Sequence, residues 1–529
     1  MHTVLVMRSN FRILVAVFFS LWICGTVSAQ SKSENDEFER YARRMNKQFN
    51  AARDAYNTQY EAYRNKINRQ FASYLEKEWK KITLLDPVQS PLMPEPEFEK
   101  PSDDNRLLPS RVPTVEPVDV LPPKPIIPFK SKPVVPINLL PDNPRIVVVP
   151  DDVIVEEPQE PQKPDVTPEH SVSFMYLANN VQVRVPSDAA DRISLGNYKS
   201  GELSKAWNKL SGENYNSMLV DCLCLRESLQ LCDWAFYQFL LEFTKAYYGN
   251  EKSSEAVLTQ AYVLSQFGYK VRLASCNSQL HVLIAYTDEI YAVPYFIVDG
   301  IKFYAFTIPS STSIHFCDFK FPGEKASSAA LNSLPVVPAA NTAKKTFRSK
   351  RFENLSADIV ANKNLIGFYD SYPSCRWDIK AKASLSKNIK DQLYPVLKKE
   401  IKDKSEEEAA NILINFVQTA FEYMTDDKQF GCEKAFFGDE LFFYPYSDCE
   451  DRSVLYAILV RELLNLDVVL LEYPTHLATA VKFNDGVTGD HFIIDGKKYV
   501  VCDPTYIGAS IGESMPSMRN VQATVIRVK

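Results

Sequence analysis

The chain is 529 residues long and 45% apolar, with 60 Lys and Arg against 66 Asp and Glu for a net charge of −6. That length exceeds one ordinary hydrophobic core, so two to four folded units are expected. The mild acidity excludes a general electrostatic pull toward polyanions, and no nucleic acid is expected among its partners.

Residues 1–29 read as a signal peptide. Arg8 and Arg12 precede the apolar run Ile13 to Cys24, and Val27-Ser28-Ala29 offers small residues for cleavage before Gln30. No later segment is long and apolar enough to cross a bilayer, so no transmembrane span is expected in the mature chain. The expected location is exported: periplasmic, cell-envelope associated or secreted. Lipidation at Cys24 is the minor alternative, because Trp22 and Ile23 are bulky where lipoprotein signals want small residues. Export permits disulfides. Of ten cysteines, nine remain without Cys24, and eight could pair if Cys449 stays free. Cys222, Cys224 and Cys232 cluster with no histidine nearby, which points to packing or a disulfide rather than zinc.

A long helix is expected over 35–82. Phe38, Phe49, Tyr60 and Phe71 recur every eleven residues, and Gln48, Gln59 and Gln70 keep step. An eleven-residue repeat winds a straight or slightly right-handed coiled coil, which would make a homo-oligomer through this stretch. The competing expectation is a helix folded back on its own globular part. Residues 86–168 hold 21 of the 33 prolines and no glycine, the composition of a semi-rigid extended spacer.

Two globular parts follow, 171–330 and 352–529, joined by a linker at 333–351 that contains the basic run Lys344 to Arg351. They read as copies. Setting His281 on His476, an offset of 195, brings Val271-Arg272-Leu273-Ala274 near Val468-Val469-Leu470-Leu471. It also brings two apolar strands ending in Asp-Gly together, at Asp299-Gly300 and Asp495-Gly496. Asp-Gly between such strands signals a tight hairpin. Each copy therefore reads as helices followed by an antiparallel sheet, an α+β fold. The first copy places Ser254, His281 and Thr307 where the second has Cys449, His476 and Asp503. It also shortens the aromatic loop Thr425 to Tyr446, so it reads as a degenerate, structural or binding module.

Chemistry concentrates in the second copy. Ser447 followed by Glu450 reads as a capping box that starts a helix just before Cys449. The first turn of a helix favours a thiolate, the nucleophilic form of cysteine. His476 opens a strand after Tyr473-Pro474-Thr475, and its face, shared with Ala478 and Ala480, is expected to admit the helix closely. A hairpin at Asp495-Gly496 returns the chain so that Asp503, restricted by Pro504, ends beside His476. Cys449 would attack a carbonyl, His476 would carry its proton and Asp503 would fix the imidazole. The Cys449 backbone N–H is the expected oxyanion donor, with Tyr444 or Tyr446 as the second.

These motifs resemble the transglutaminase-like, papain-related superfamily. Asp448-Cys449-Glu450-Asp451 opens a helix, Tyr-Pro-x-His precedes a small-residue strand, and Cys502-Asp503-Pro504-Thr505 follows. The resemblance covers about 355–520, with the first copy a degenerate relative; Ser447 stands where a glycine is usual. It implies tandem domains of that fold and a Cys-His-Asp triad at Cys449, His476 and Asp503. It implies acyl transfer on amide bonds of a protein or peptide substrate, as peptidase, amidase, deamidase or transglutaminase. No metal and no cofactor is implied. The alternative is an envelope scaffold whose two copies only bind.

Overall fold

The computed structural model describes residues 61–77, 83–94, 118–119, 169–196, 200–308 and 312–528. The stretch expected as a signal peptide, most of the expected stalk and most of the proline-rich region lie outside the described residues. Apart from 61–66, all of the described residues belong to one compact unit.

The fold is α+β, and its two principal layers are six-stranded sheets. In the first half five antiparallel strands run in the order Ile314–Phe316, Val271–Cys276, Gln279–Ala285, Ile301–Tyr304, Tyr295–Val298. In the second half the order is Thr524–Val528, Asp467–Tyr473, His476–Lys482, Lys497–Cys502, His491–Ile494. Relative to chain order the two arrangements are the same. Each sheet gains its sixth strand from the N-terminal region: Thr83–Leu85 pairs with Ile314–Phe316, and Val118–Asp119 pairs in parallel with the His491–Ile494 edge. Both Asp-Gly hairpins form as the sequence suggests. Asp299 and Gly300 sit at φ 50° and 74°, Asp495 and Gly496 at 50° and 71°, the left-handed pair that a two-residue hairpin turn requires.

One helix crosses each sheet. Ser254–Gln266 lies on Gln279–Ala285, and Cys449–Leu459 lies on His476–Lys482. The helix Cys449–Leu459 is buried along its whole length, continues as a π-helical turn over Val460–Leu464 and ends at Asn465, φ 55°. Leu455, Ile458 and Leu459 pack with Leu470, Leu477 and Val481. Ala478 and Ala480 point to the other face and join Val469, Leu471, Tyr473 and Val501. This corrects the expectation that the alanines admit the helix: strand alternation sends Leu477 and Val481 to the helix side.

Three further readings change. Over 67–77 the repeat is not a free seam, because Phe71, Ala72 and Leu75 are buried in the first-half core. Phe71 meets Trp207 edge-on at 4.4 Å and Phe319 and Phe321 at 4.9 and 5.0 Å. Within 333–351, Lys345–Arg348 is a strand paired with Ser356–Ile359, anchored by Phe347 against Phe421 and Phe442. All nine cysteines among the described residues are free thiols. No helix among the described residues is long and apolar enough to cross a membrane.

Candidate functional site

Cys449 is the first residue of its helix. The N-cap is Asp448, not Ser447: Asp451 accepts the Asp448 N–H at 3.3 Å in a capping box. Ser447 is instead paired with Tyr423 in a short parallel ladder, and its Oγ accepts from Arg452 Nε at 3.3 Å. Arg452 is fully buried. Its guanidinium donates to the Phe421 carbonyl at 2.8 Å and lies 5.3 Å from the centre of the Tyr423 ring.

His476 opens its strand directly opposite Tyr473, so Pro474 and Thr475 form a two-residue turn. Its Nε2 lies 2.9 Å from Asp503 Oδ2. The other carboxylate oxygen, Oδ1, accepts the backbone N–H groups of Thr505 and Tyr506 at 2.9 and 3.1 Å. That division locks the carboxylate with one oxygen aimed at the imidazole. Gln418, which carries no sequence signal, secures the same loop from below. Its Nε2 donates to the carbonyls of Asp503, Tyr506 and Ala509 at 3.0, 2.8 and 3.1 Å.

Burial alone lowers a histidine pKa. At His476 the charge and hydrogen bond of Asp503, followed by a side-chain hydrogen bond with Cys449, outweigh it and push the imidazole up to about 10. The structure thus brings Cys449, His476 and Asp503 together, with 1%, 0% and 2% of their surfaces exposed. The thiol also donates to Glu450 Oε2 at 3.1 Å.

Comparison with family models, curated proteins and solved structures returned no match.

The remaining sequence candidates fall in different places. The Tyr444 hydroxyl donates to Asp370 at 2.7 Å, and its ring stacks on Phe436 with Lys434 over it at 4.6 Å. Tyr446 is half-buried beside Glu422 in the parallel ladder. Tyr423 is the phenol whose ionisation feels Cys449. Burial first, then the charges of Cys449, Asp448 and Glu450, push its ionisation far above the usual tyrosine range.

In the first half Ser254 does open the matching helix, capped by Ser253. His281 does not stand where His476 does. The pairs Val271↔Ile284 and Val468↔Val481 match at an offset of 197 (468 − 271, 481 − 284), and each second member pairs four residues beyond the Asp-Gly glycine, with Tyr304 and Val500. On that register His281 falls on Ala478 and Gln279 on His476. Its Nδ1 nonetheless meets Thr307 Oγ1 at 2.9 Å.

The sequence also hid an acidic cluster. Asp426, Asp448 and Glu450 bring one carboxylate oxygen each within 4.8 Å of one another, all buried. Burial, then the charge of Asp448, pushes Asp426 up to about 9; burial and the same neighbour raise Glu450. Three such oxygens are the donor type that hard divalent cations take. Asp426 lies 22 residues upstream of Asp448, at the start of the short helix Asp426–Gln429 and outside any ligand-spacing motif, so only folding reveals it.

Proposed function

We propose that the chain is an exported, cysteine-dependent acyl-transfer enzyme acting on amide bonds of a protein or peptide. The observation that carries this reading is the buried His476–Asp503 pair, 2.9 Å apart, with Cys449 in reach of the imidazole at the start of a helix. Asp503 accepts the hydrogen bond from Nε2–H, so Nδ1 is the nitrogen that exchanges a proton with sulfur. The Cys449 sulfur attacks the amide carbon, and its proton resides on His476. The carbonyl oxygen becomes an oxyanion facing the first-turn N–H groups. His476 then protonates the leaving amine as the C–N bond breaks, leaving a thioester on Cys449. Water or a second amine resolves the thioester with His476 again as base.

Two tandem copies of a transglutaminase-like fold fit the matching strand orders and the helix laid on each sheet. The first copy then serves as support or binding module. The segment before residue 61 retains its eleven-residue repeat as a candidate oligomerising stalk. Deleting residues 35–60 should lower the oligomer mass, read by light scattering; an unchanged mass contradicts the stalk.

A non-catalytic scaffold is the second reading. It is favoured by the burial of all three triad side chains and by the thiol's bond to Glu450. Mass spectrometry of the intact protein after incubation with a mixed peptide library separates the two. The enzyme reading predicts an acyl adduct on Cys449 that hydroxylamine removes and that Cys449→Ser cannot form as a thioester. Absence of an adduct on Cys449, with the chain folded, favours the scaffold.

A further inference from the structure

His281 in the first half is oriented toward Cys276, not toward Ser254, the residue that the sequence comparison sets in the place of Cys449. Cys276 ends its strand opposite Gln279, and His281 stands two residues further along the partner strand. Same-face residues at that diagonal are close enough for long or ring-bearing side chains to meet. Here they do: Cys276 Sγ lies 3.2 Å from His281 Nε2, while Nδ1 of the same ring lies 2.9 Å from Thr307 Oγ1. In the second half the hairpin turns immediately before His476, so Tyr473 occupies the place of Cys276 and the imidazole serves Cys449 instead.

We propose that Cys276, His281 and Thr307 form a second thiol site, a modification site for small disulfides, independent of Cys449. Thr307 accepts the Nδ1 proton, which fixes the ring and leaves Nε2 to receive the thiol proton. Burial holds the thiol high and the imidazole low, so the pair rests as S–H beside a neutral base. Base-assisted attack, not a resident thiolate, is the chemistry this arrangement supports. The Cys276 sulfur attacks one sulfur of the reagent, the reagent's S–S bond breaks, and His281 returns the proton to the departing thiolate. The products are a mixed disulfide on Cys276 and one free small thiol. The Cys276 sulfur is oxidised as the departing sulfur is reduced.

Access matches a small reagent. Cys276 is 7% exposed, against 0% for Cys222 and 1% for Cys317. It adjoins the exposed two-residue turn Asn277-Ser278, whose φ angles are 45° and 64°. Cys224 and Cys432 are exposed and, among the described residues, have no histidine hydrogen bond, which makes them internal controls.

The test is the rate of mixed-disulfide formation with oxidised glutathione and with cystamine, mapped to each cysteine by mass spectrometry on the folded full chain. The proposal predicts that Cys276 outpaces Cys222 and Cys317. It also predicts that His281→Gln slows Cys276 by at least about tenfold with Cys224 and Cys432 unchanged. Thr307→Val, which keeps both reacting groups, should slow Cys276 by a few-fold and serves if His281→Gln does not fold. An unmodified Cys276 after Cys224 and Cys432 are fully labelled overturns the proposal. So does a Cys276 rate that folded variants leave unchanged.

Discussion

Asp503 sets the electrostatics of the candidate triad. Its two oxygens do separate work, one held by backbone N–H groups and one presented to His476. Asp503→Asn keeps the shape but removes the charge, so the buried imidazole is left without its counter-ion. On the enzyme reading, kcat/KM should fall by roughly 10²–10⁴-fold, measured on whichever peptide acylates Cys449. A stability signature accompanies it. His476 rises from 6.5 to about 10 in the folded chain. A raised folded pKa contributes stability that is complete below the unfolded value and is lost as pH climbs through the folded value. Thermal melts from pH 6 to 10 should therefore show the wild type's advantage over Asp503→Asn largest near pH 6 and shrinking toward pH 10. An advantage independent of pH would remove the charged pair from the account. The identity of these residues was legible in the sequence because each stands beside a residue that fixes its backbone: a helix start, a tight Pro-containing turn and a proline. The carboxylate of Asp426 and the amide of Gln418 were not, since nothing local distinguishes them from any buried polar side chain.

At the scale of elements, the start of the Cys449 helix was one residue off. Ser447 and Glu450 fit the usual capping pattern better than Asp448 and Asp451. Tertiary pairing of Ser447 with Tyr423 decides for the later cap. Asp448→Ala should cost about 1 kcal/mol through the cap, seen as a lowered melting temperature. The loop that follows Asp503 is held by a close approach of two glycines. A Cβ on Gly512, at φ +85°, would sit 2.6 Å from the Thr488 carbonyl oxygen and 2.7 Å from Gly489 Cα. Gly512→Ala should therefore destabilise by about 1–3 kcal/mol or more and weaken the frame behind Asp503. A melting temperature equal to wild type would show that the loop can shift at no cost. Gln418→Ala tests positioning separately. It should lower kcat while a small alkylating probe still reaches Cys449, because the loop and not the thiol is disturbed. Strand hairpins were the most legible elements. Asp-Gly dictates a left-handed pair, so both turns could be placed from two letters.

For the whole molecule, the repeat of strand order was legible as a spacing of similar strands, but its register was not. Matching histidine to histidine displaces the two sheets by two residues, and strand alternation hides such a slip because it keeps the same face. The eleven-residue repeat shows the opposite limit. Its eleven-residue period described a continuous stripe, yet the described end of that stripe is part of a core. Phe71→Ala should cost roughly 3–5 kcal/mol and lower the melting temperature of the main unit, whereas truncation to residue 60 should leave it unchanged. The central claim is that Cys449 is an activated nucleophile. It is tested most directly by the rate of iodoacetamide modification at Cys449, site-mapped, in wild type and His476→Ala. The account predicts selective modification of Cys449 in the folded wild type, falling by at least about tenfold in His476→Ala. A Cys449 that reacts no faster than a denatured thiol, with the same rate in both proteins, would contradict it.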